Sequence, residues 1–172
     1  MPDGLLTSEQ VLTLLASTPP RLAALTAELT PGQLRTARGP GEWSAADVLA
    51  HLRACADVWG GCIATMLAED HPALRAVNPR TWIKQTDYRD LEFRPSLDAF
   101  AAQRAELLAI LEPLPHETWS RVATVTGAGK VLERTVLSYA QRLARHEQPH
   151  VKQIERIVTV LRTEQGQALG AS

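Results

Sequence analysis

Apolar residues recur at three- and four-residue steps along most of this chain, the period of helices with one buried face. The first such stretch runs from about Thr7 to Leu29 and carries Val11, Leu14, Leu15, Leu22 and Leu25. Thr7 and Gln10 are spaced as a capping box at its start, and Pro19 and Pro20 are expected to break or bend it. Thr30-Pro31 reads as a cap followed by a proline at the first helical position, giving a short turn of helix before the Gly39-Pro40-Gly41 loop. The second helix starts sharply: Ser44 caps it, Asp47 follows three residues on, and Trp43 is placed to staple onto Val48. It runs to about Glu69, with Val48, Leu52, Cys55, Trp59, Ile63 and Met66 as its apolar stripe. From Asp70 to Arg94 the chain is too long for a simple turn and holds Asn78-Pro79, Trp82 and Tyr88, a connection able to cover an opening.

The third helix is expected over roughly Ser96 to Leu111, with Leu97, Phe100, Leu107, Leu108 and Leu111 apolar and Pro113 and Pro115 preventing its extension. Val122 to Val125 and Lys130 to Leu132 then flank Thr126-Gly127-Ala128-Gly129, the pattern of a small hairpin. The last helix spans about Glu133 to Glu164, with Val136, Tyr139, Leu143, Ile154, Ile157 and Leu161 on one face. The expected fold is therefore all-α: a four-helix bundle formed by residues 1–172 as one domain, with a long connection between helices two and three and a hairpin before helix four.

Composition narrows the function. Apolar residues make up 45% and charged ones 22% of 172 residues, average globular usage. Lys and Arg total 18 against 19 Asp and Glu, so no positive surplus exists to neutralise a phosphate backbone, and nucleic-acid binding is not expected. No apolar run approaches a membrane span and no signal-peptide pattern is present, so the sequence reads as cytoplasmic, without membrane contact. Cys55 and Cys62, seven residues apart on one helix, stand about 10 Å apart along its axis, too far to bridge. They read as reduced thiols that pack the core.

Two histidines interrupt the apolar face of the last helix. His146 and His150 occupy the steps between Leu143 and Ile154, and residues four apart are neighbours on a helix surface, so both imidazoles can reach one ion. His51 interrupts the second helix in the same way, one turn before Cys55. Three isolated core histidines, each hydrogen-bonded separately, are the alternative, but burying an adjacent pair without a shared partner is costly. His71 and His116 sit beside prolines in loops and are assigned to the surface. The string His146-Glu147-Gln148-Pro149-His150 also matches HExxH, in which the Glu is the base of a zinc peptidase. Pro149 argues against that reading, as do Gln153 and Arg156 where a metzincin extension requires glycine and a third histidine.

The whole chain resembles the DinB/YfiT-like superfamily of metal-binding four-helix bundles through Glu42-Trp43-Ser44, His51, the Trp82 to Tyr88 connection, Gly127, and His146-x3-His150-x2-Gln153. The resemblance implies an up-down-down-up bundle, often dimeric, with His51, His146 and His150 as ligands of nickel, zinc or a related divalent ion. Pro149 departs from the family pattern inside the ligand helix. Three neutral protein ligands leave a coordination position open, so the site is expected to hydrolyse a small-molecule substrate or to activate a low-molecular-weight thiol as co-substrate of a transferase. A metal-binding bundle with a stress or interaction role and no catalysis is the third reading. Glu147, Gln153, Asp47 and Tyr139 are candidates for supporting roles or proton transfer, and no catalytic residue is assigned.

Overall fold

The computed structural model describes residues 4–170. Its elements are α1 (Ser8–Thr26), α2 (Pro31–Leu34), α3 (Ala45–Ala68), β1 (Ala73–Arg75), α4 (Pro79–Trp82), α5 (Phe93–Leu111), β2 (Val122–Thr126), β3 (Leu132–Thr135) and α6 (Val136–Gly170), with 3-10 turns at Ile83–Gln85 and His116–Ser120. Four long helices dominate: α3 packs on α6, α6 on α1, and α1 on α5, while α5 returns to α3. Ser44 caps α3 as its sequence spacing requires, with the Asp47 amide donating to Ser44 Oγ at 3.2 Å and the Ser44 amide donating back to Asp47 at 2.9 Å. Among the described residues no helix is long and apolar enough to cross a membrane.

Two helix starts differ from the sequence expectation. The third long helix begins at Phe93 rather than Ser96, because Pro95 falls in its first turn, where no helical N–H is needed. The last begins at Val136 rather than Glu133, because Leu132–Thr135 pairs antiparallel with β2. The fold is also not purely helical: β1, drawn from the long connection, pairs in parallel with β2 and completes a three-stranded sheet in the order β1-β2-β3. Gly127, at φ +88, turns the chain after β2, where a Cβ would press within 3.3 Å of the Arg75 side chain.

The core has two large apolar parts with polar side chains between them, and a small third one where Ile83 of the connection packs on Ala50 and Ala54. Leu22, Leu49, Leu52, Phe100, Ile154 and their neighbours fill one end of the bundle, and Val11, Leu15, Trp59, Ile63, Leu143 and theirs fill the other. Between these parts α1 places Thr18, α5 places Arg104, and α6 places Glu147, all buried. The Arg104 guanidinium pairs with the Glu147 carboxylate in a contact 2% and 0% exposed, and Thr18 Oγ1 donates to the same carboxylate at 2.8 Å. This cluster also explains why α1 is not broken at its prolines. Pro19 has no N–H to give the Leu15 carbonyl four residues back, and Arg104 donates to that oxygen at 2.9 Å instead. Pro20 and Pro149 both lie on exposed faces, and α6 continues through Pro149.

The long connection is tied to the bundle by Asp57. Its carboxylate accepts hydrogen bonds from Trp82 Nε1 at 3.0 Å, from the Tyr88 hydroxyl at 2.5 Å and from Gln103 Nε2 at 2.8 Å. Arg53, one turn earlier on α3, lies 4.0 Å over the Tyr88 ring.

Removing one partner of a buried ion pair leaves an uncompensated charge at a cost of about 3–5 kcal/mol, whereas replacing both with apolar groups is far cheaper. Glu147→Gln is therefore expected to lower the unfolding free energy by about 3–5 kcal/mol, and Arg104→Met combined with Glu147→Leu by less, as measured by urea denaturation.

Candidate metal centre

The capping box of α3 sets where that helix starts, and so which face His51 takes about two turns later. On α6 the corresponding anchor is Glu147: with its carboxylate fixed toward α1 and α5, the preceding residue turns toward α3. His51 and His146, 95 residues apart, meet with their Nε2 atoms 2.9 Å from each other. His150 Nε2 stands 3.2 Å from the same His146 nitrogen. All three histidines singled out in the sequence are thus brought together, and Pro149 does not displace His150. His71 and His116 are exposed and elsewhere; His71 Nε2 lies 3.0 Å from Thr124 Oγ1.

An imidazole nitrogen carries a single proton or a single lone pair, directed along one line in the ring plane. His146 Nε2 therefore cannot form good hydrogen bonds to both neighbours at once. A shared cation satisfies all three nitrogens. Two imidazole nitrogens bonded to one zinc-sized ion at about 2.0–2.1 Å, at angles between about 90° and the tetrahedral value, stand about 2.9–3.4 Å apart. The observed separations fall in that range. His150 Nδ1 lies 2.9 Å from Gln153 Oε1, so the ring's proton belongs on Nδ1 and the lone pair on Nε2 faces the other histidines.

Cys55 is a fourth group at this point. Its Sγ lies 3.5 Å from His51 Nε2, and the donor atoms of His51, Cys55 and His146 all fall within 4.8 Å of one another. Burial, reinforced by the Glu147 carboxylate, pushes its thiol up to about 12, so it holds its proton unless a metal removes it. The expectation that Cys55 only packs is thereby revised: it packs and it also touches the histidine cluster. Cys62, on the same face, is a free thiol at the edge of the adjoining recess.

Tryptophans wall the cluster. Trp59 meets His146 edge-on at 5.0 Å, and Trp43 stacks on His150 at 6.1 Å and tilts against His51 at 5.2 Å. Burial first, then the proximity of His150 and of nearby arginines, pushes His51 and His146 down to about 4, leaving both neutral and ready to coordinate at physiological pH. From the cluster a recess of about 540 Å³ opens between α3 and α6 on one side and the sheet with the long connection on the other. Asn78 and Arg80 reach it from the connection, Gly127 and Arg134 from the hairpin, Tyr139 and Arg142 from α6.

Of the four supporting candidates read from the sequence, Gln153 contacts a site histidine and Tyr139 lines the recess, its hydroxyl pushed up to about 12 by burial and by Cys62. The other two do structural work: Asp47 belongs to the α3 cap and Glu147 to the buried ion pair. The arginines of the recess were missed. Arg142 lies one turn before His146, a spacing visible in the sequence, whereas Arg80 and Arg134 arrive from a loop and a strand whose placement no local pattern reveals.

The sequence profile of the DinB superfamily matches residues 14–154. No curated protein matches the chain. Among solved structures, YfiT from Bacillus subtilis, described as a probable metal-dependent hydrolase with an unusual four-helix bundle topology, superposes with a TM-score of 0.75. The match covers 94% of this chain and 93% of that one at 19% identity, a likeness of fold.

The two depressed histidines make acid stability a test of this electrostatic picture. Both folded-state values, about 4, lie below the ordinary histidine value of 6.5, so between these pH values the unfolded chain binds more protons than the folded one. Metal-free protein is expected to be most stable above about pH 6.5 and to lose stability as the pH falls toward about 4. His146→Gln should flatten that dependence, read as Tm against pH.

Proposed function

The chain belongs to the DinB superfamily, and on that premise we propose that it is a metal-dependent enzyme of small-molecule chemistry that holds one divalent ion, zinc or nickel, on His51, His146 and His150. The observation that carries this reading is the pair of short contacts at His146 Nε2, which one imidazole nitrogen cannot satisfy by hydrogen bonding. The up-down-down-up helix order and a homodimer belong to the same reading. An ion on three neutral donors supplies Lewis acidity at its open positions and makes a water or thiol there more acidic.

The rest of the site is the work of the chain's own residues. Neutral His51 and His146 supply lone pairs, Gln153 holds His150 in the required tautomer, and Trp43 and Trp59 keep bulk water from that side of the cluster. Tyr139 keeps its proton and shares a hydrogen bond with Cys62 at the wall of the recess. Hydrolysis is the reaction favoured, in keeping with the description of YfiT. The peptidase reading of HExxH loses its base: both Glu147 oxygens are engaged by Arg104 in the core, and no described Asp or Glu lines the recess.

One feature favours group transfer from a thiol co-substrate as the second reading. A further recess of about 440 Å³ shares His150 and Arg80 with the first, giving space for two small molecules beside one ion.

Metal content by mass spectrometry tests the donor set. Wild-type protein is expected to carry about one equivalent of ion. His51→Ala, His146→Ala and His150→Ala should each weaken binding by far more than the about 10- to 100-fold typical of outer-shell changes, while Cys55→Ser, His71→Ala and His116→Ala keep the ion. Loss of the ion in Cys55→Ser with retention in His150→Ala would replace the proposed set with His51, Cys55 and His146. Chelator-sensitive hydrolysis of small esters or amides, absent from the His146→Ala protein, is the matching activity test.

A further inference from the structure

The recess beside the histidines has an unusual charge balance. Its lining includes Arg80, Arg134 and Arg142 and no Asp or Glu among the described residues. None of these three guanidiniums forms a hydrogen bond or ion pair with a described residue, whereas Arg21, Arg104 and Arg162 pair with carboxylates and Arg94 and Arg121 donate to helix-end carbonyls. Two of them lie against the tryptophans that wall the cluster: Arg142 stands 4.9 Å over Trp59 and Arg80 stands 6.0 Å over Trp43. Stacking occupies the flat side of a guanidinium and leaves its edge N–H groups, the ones that grip a carboxylate or phosphate in bidentate fashion. The nearest buried carboxylate, Glu147, is already neutralised by Arg104. In a chain of net charge −1 this concentration of positive charge is local to the recess.

We propose that the recess binds a small organic anion, whose carboxylate or phosphate group is held by Arg80, Arg134 and Arg142 while its other end lies against His51, His146 and His150. The second half of this statement rests on the metal-centre reading, since three neutral donors would leave the charge of a divalent ion uncompensated and add to the same positive field. The first half stands on the arginines alone. A volume of about 540 Å³ suits a small metabolite and excludes a folded partner.

The test is isothermal titration calorimetry on the protein as purified, with succinate, phenyl phosphate and the uncharged succinamide as probes, and metal content measured on the same samples. Saturable binding of succinate, of phenyl phosphate or of both is expected, with no binding of succinamide; which anion binds decides between carboxylate and phosphate. Arg134→Gln and Arg142→Gln should each weaken that binding about 10-fold or more, while Arg162→Gln, on the exposed end of the same helix, leaves it unchanged. Failure of both anions to bind, equal binding of succinamide, or wild-type affinity in both arginine variants would overturn the proposal. Arginine-dependent anion binding by a protein that carries no ion would uphold the proposal and sink the metal reading. A full equivalent of ion without anion binding would do the reverse.

Discussion

Arg104 of α5 and Glu147 of α6 meet in the middle of the bundle, out of reach of solvent. A charge shut away from water must find its opposite, and these two groups, 2% and 0% exposed, find each other only when α5 and α6 are in register. The same guanidinium replaces the helical hydrogen bond that Pro19 cannot make, so α1 is bound into the arrangement as well. Consecutive helical residues point about 100° apart. Once Glu147 is committed to the side of α1 and α5, His146 and His150 have no choice but the side of α3, where His51 waits. The ion pair thus aims the histidines without touching them.

The parts of the fold that follow from one helix at a time were legible in the sequence. Ser44 and Asp47 mark the start of α3, the stripe of α6 predicts its buried face, and His146 with His150 declares a shared direction because four residues make nearly one turn. What was not legible depends on distant pairings. Glu147 read as a candidate for a supporting role or proton transfer, and the position of Arg104 on another helix shows it to be the partner of a buried ion pair. Strand β1 is three residues long and has no alternation to reveal it; it is a strand because Thr124 to Thr126 lie beside it. Pro19 misled in the same way, since the donor that replaces its missing amide comes from 89 residues away.

The two halves of the site are built differently. The histidines stand on long helices whose packing fixes them, while the arginines and the opposite wall come from the connection and the hairpin. Asp57 is what joins these halves: by gathering Trp82, Tyr88 and Gln103 it holds the connection against α3 and α5 and keeps Arg80 over the recess. With the proposed donors on rigid helices and the proposed ligand wall on loops, changes in the loops would alter what is bound while leaving the centre in place.

The separation of His51 from its two partners along the chain has a kinetic consequence. His51 and His146 are 95 positions apart and Thr18 and Glu147 are 129 apart, so each contact closes a long loop at an entropic cost that no helix turn bears. Contacts of such long sequence separation form late, after the local helices that carry them. An ion held by these histidines therefore acts on a nearly finished molecule. On the proposed donor set such an ion would slow unfolding more than it speeds folding, and so would act chiefly on lifetime.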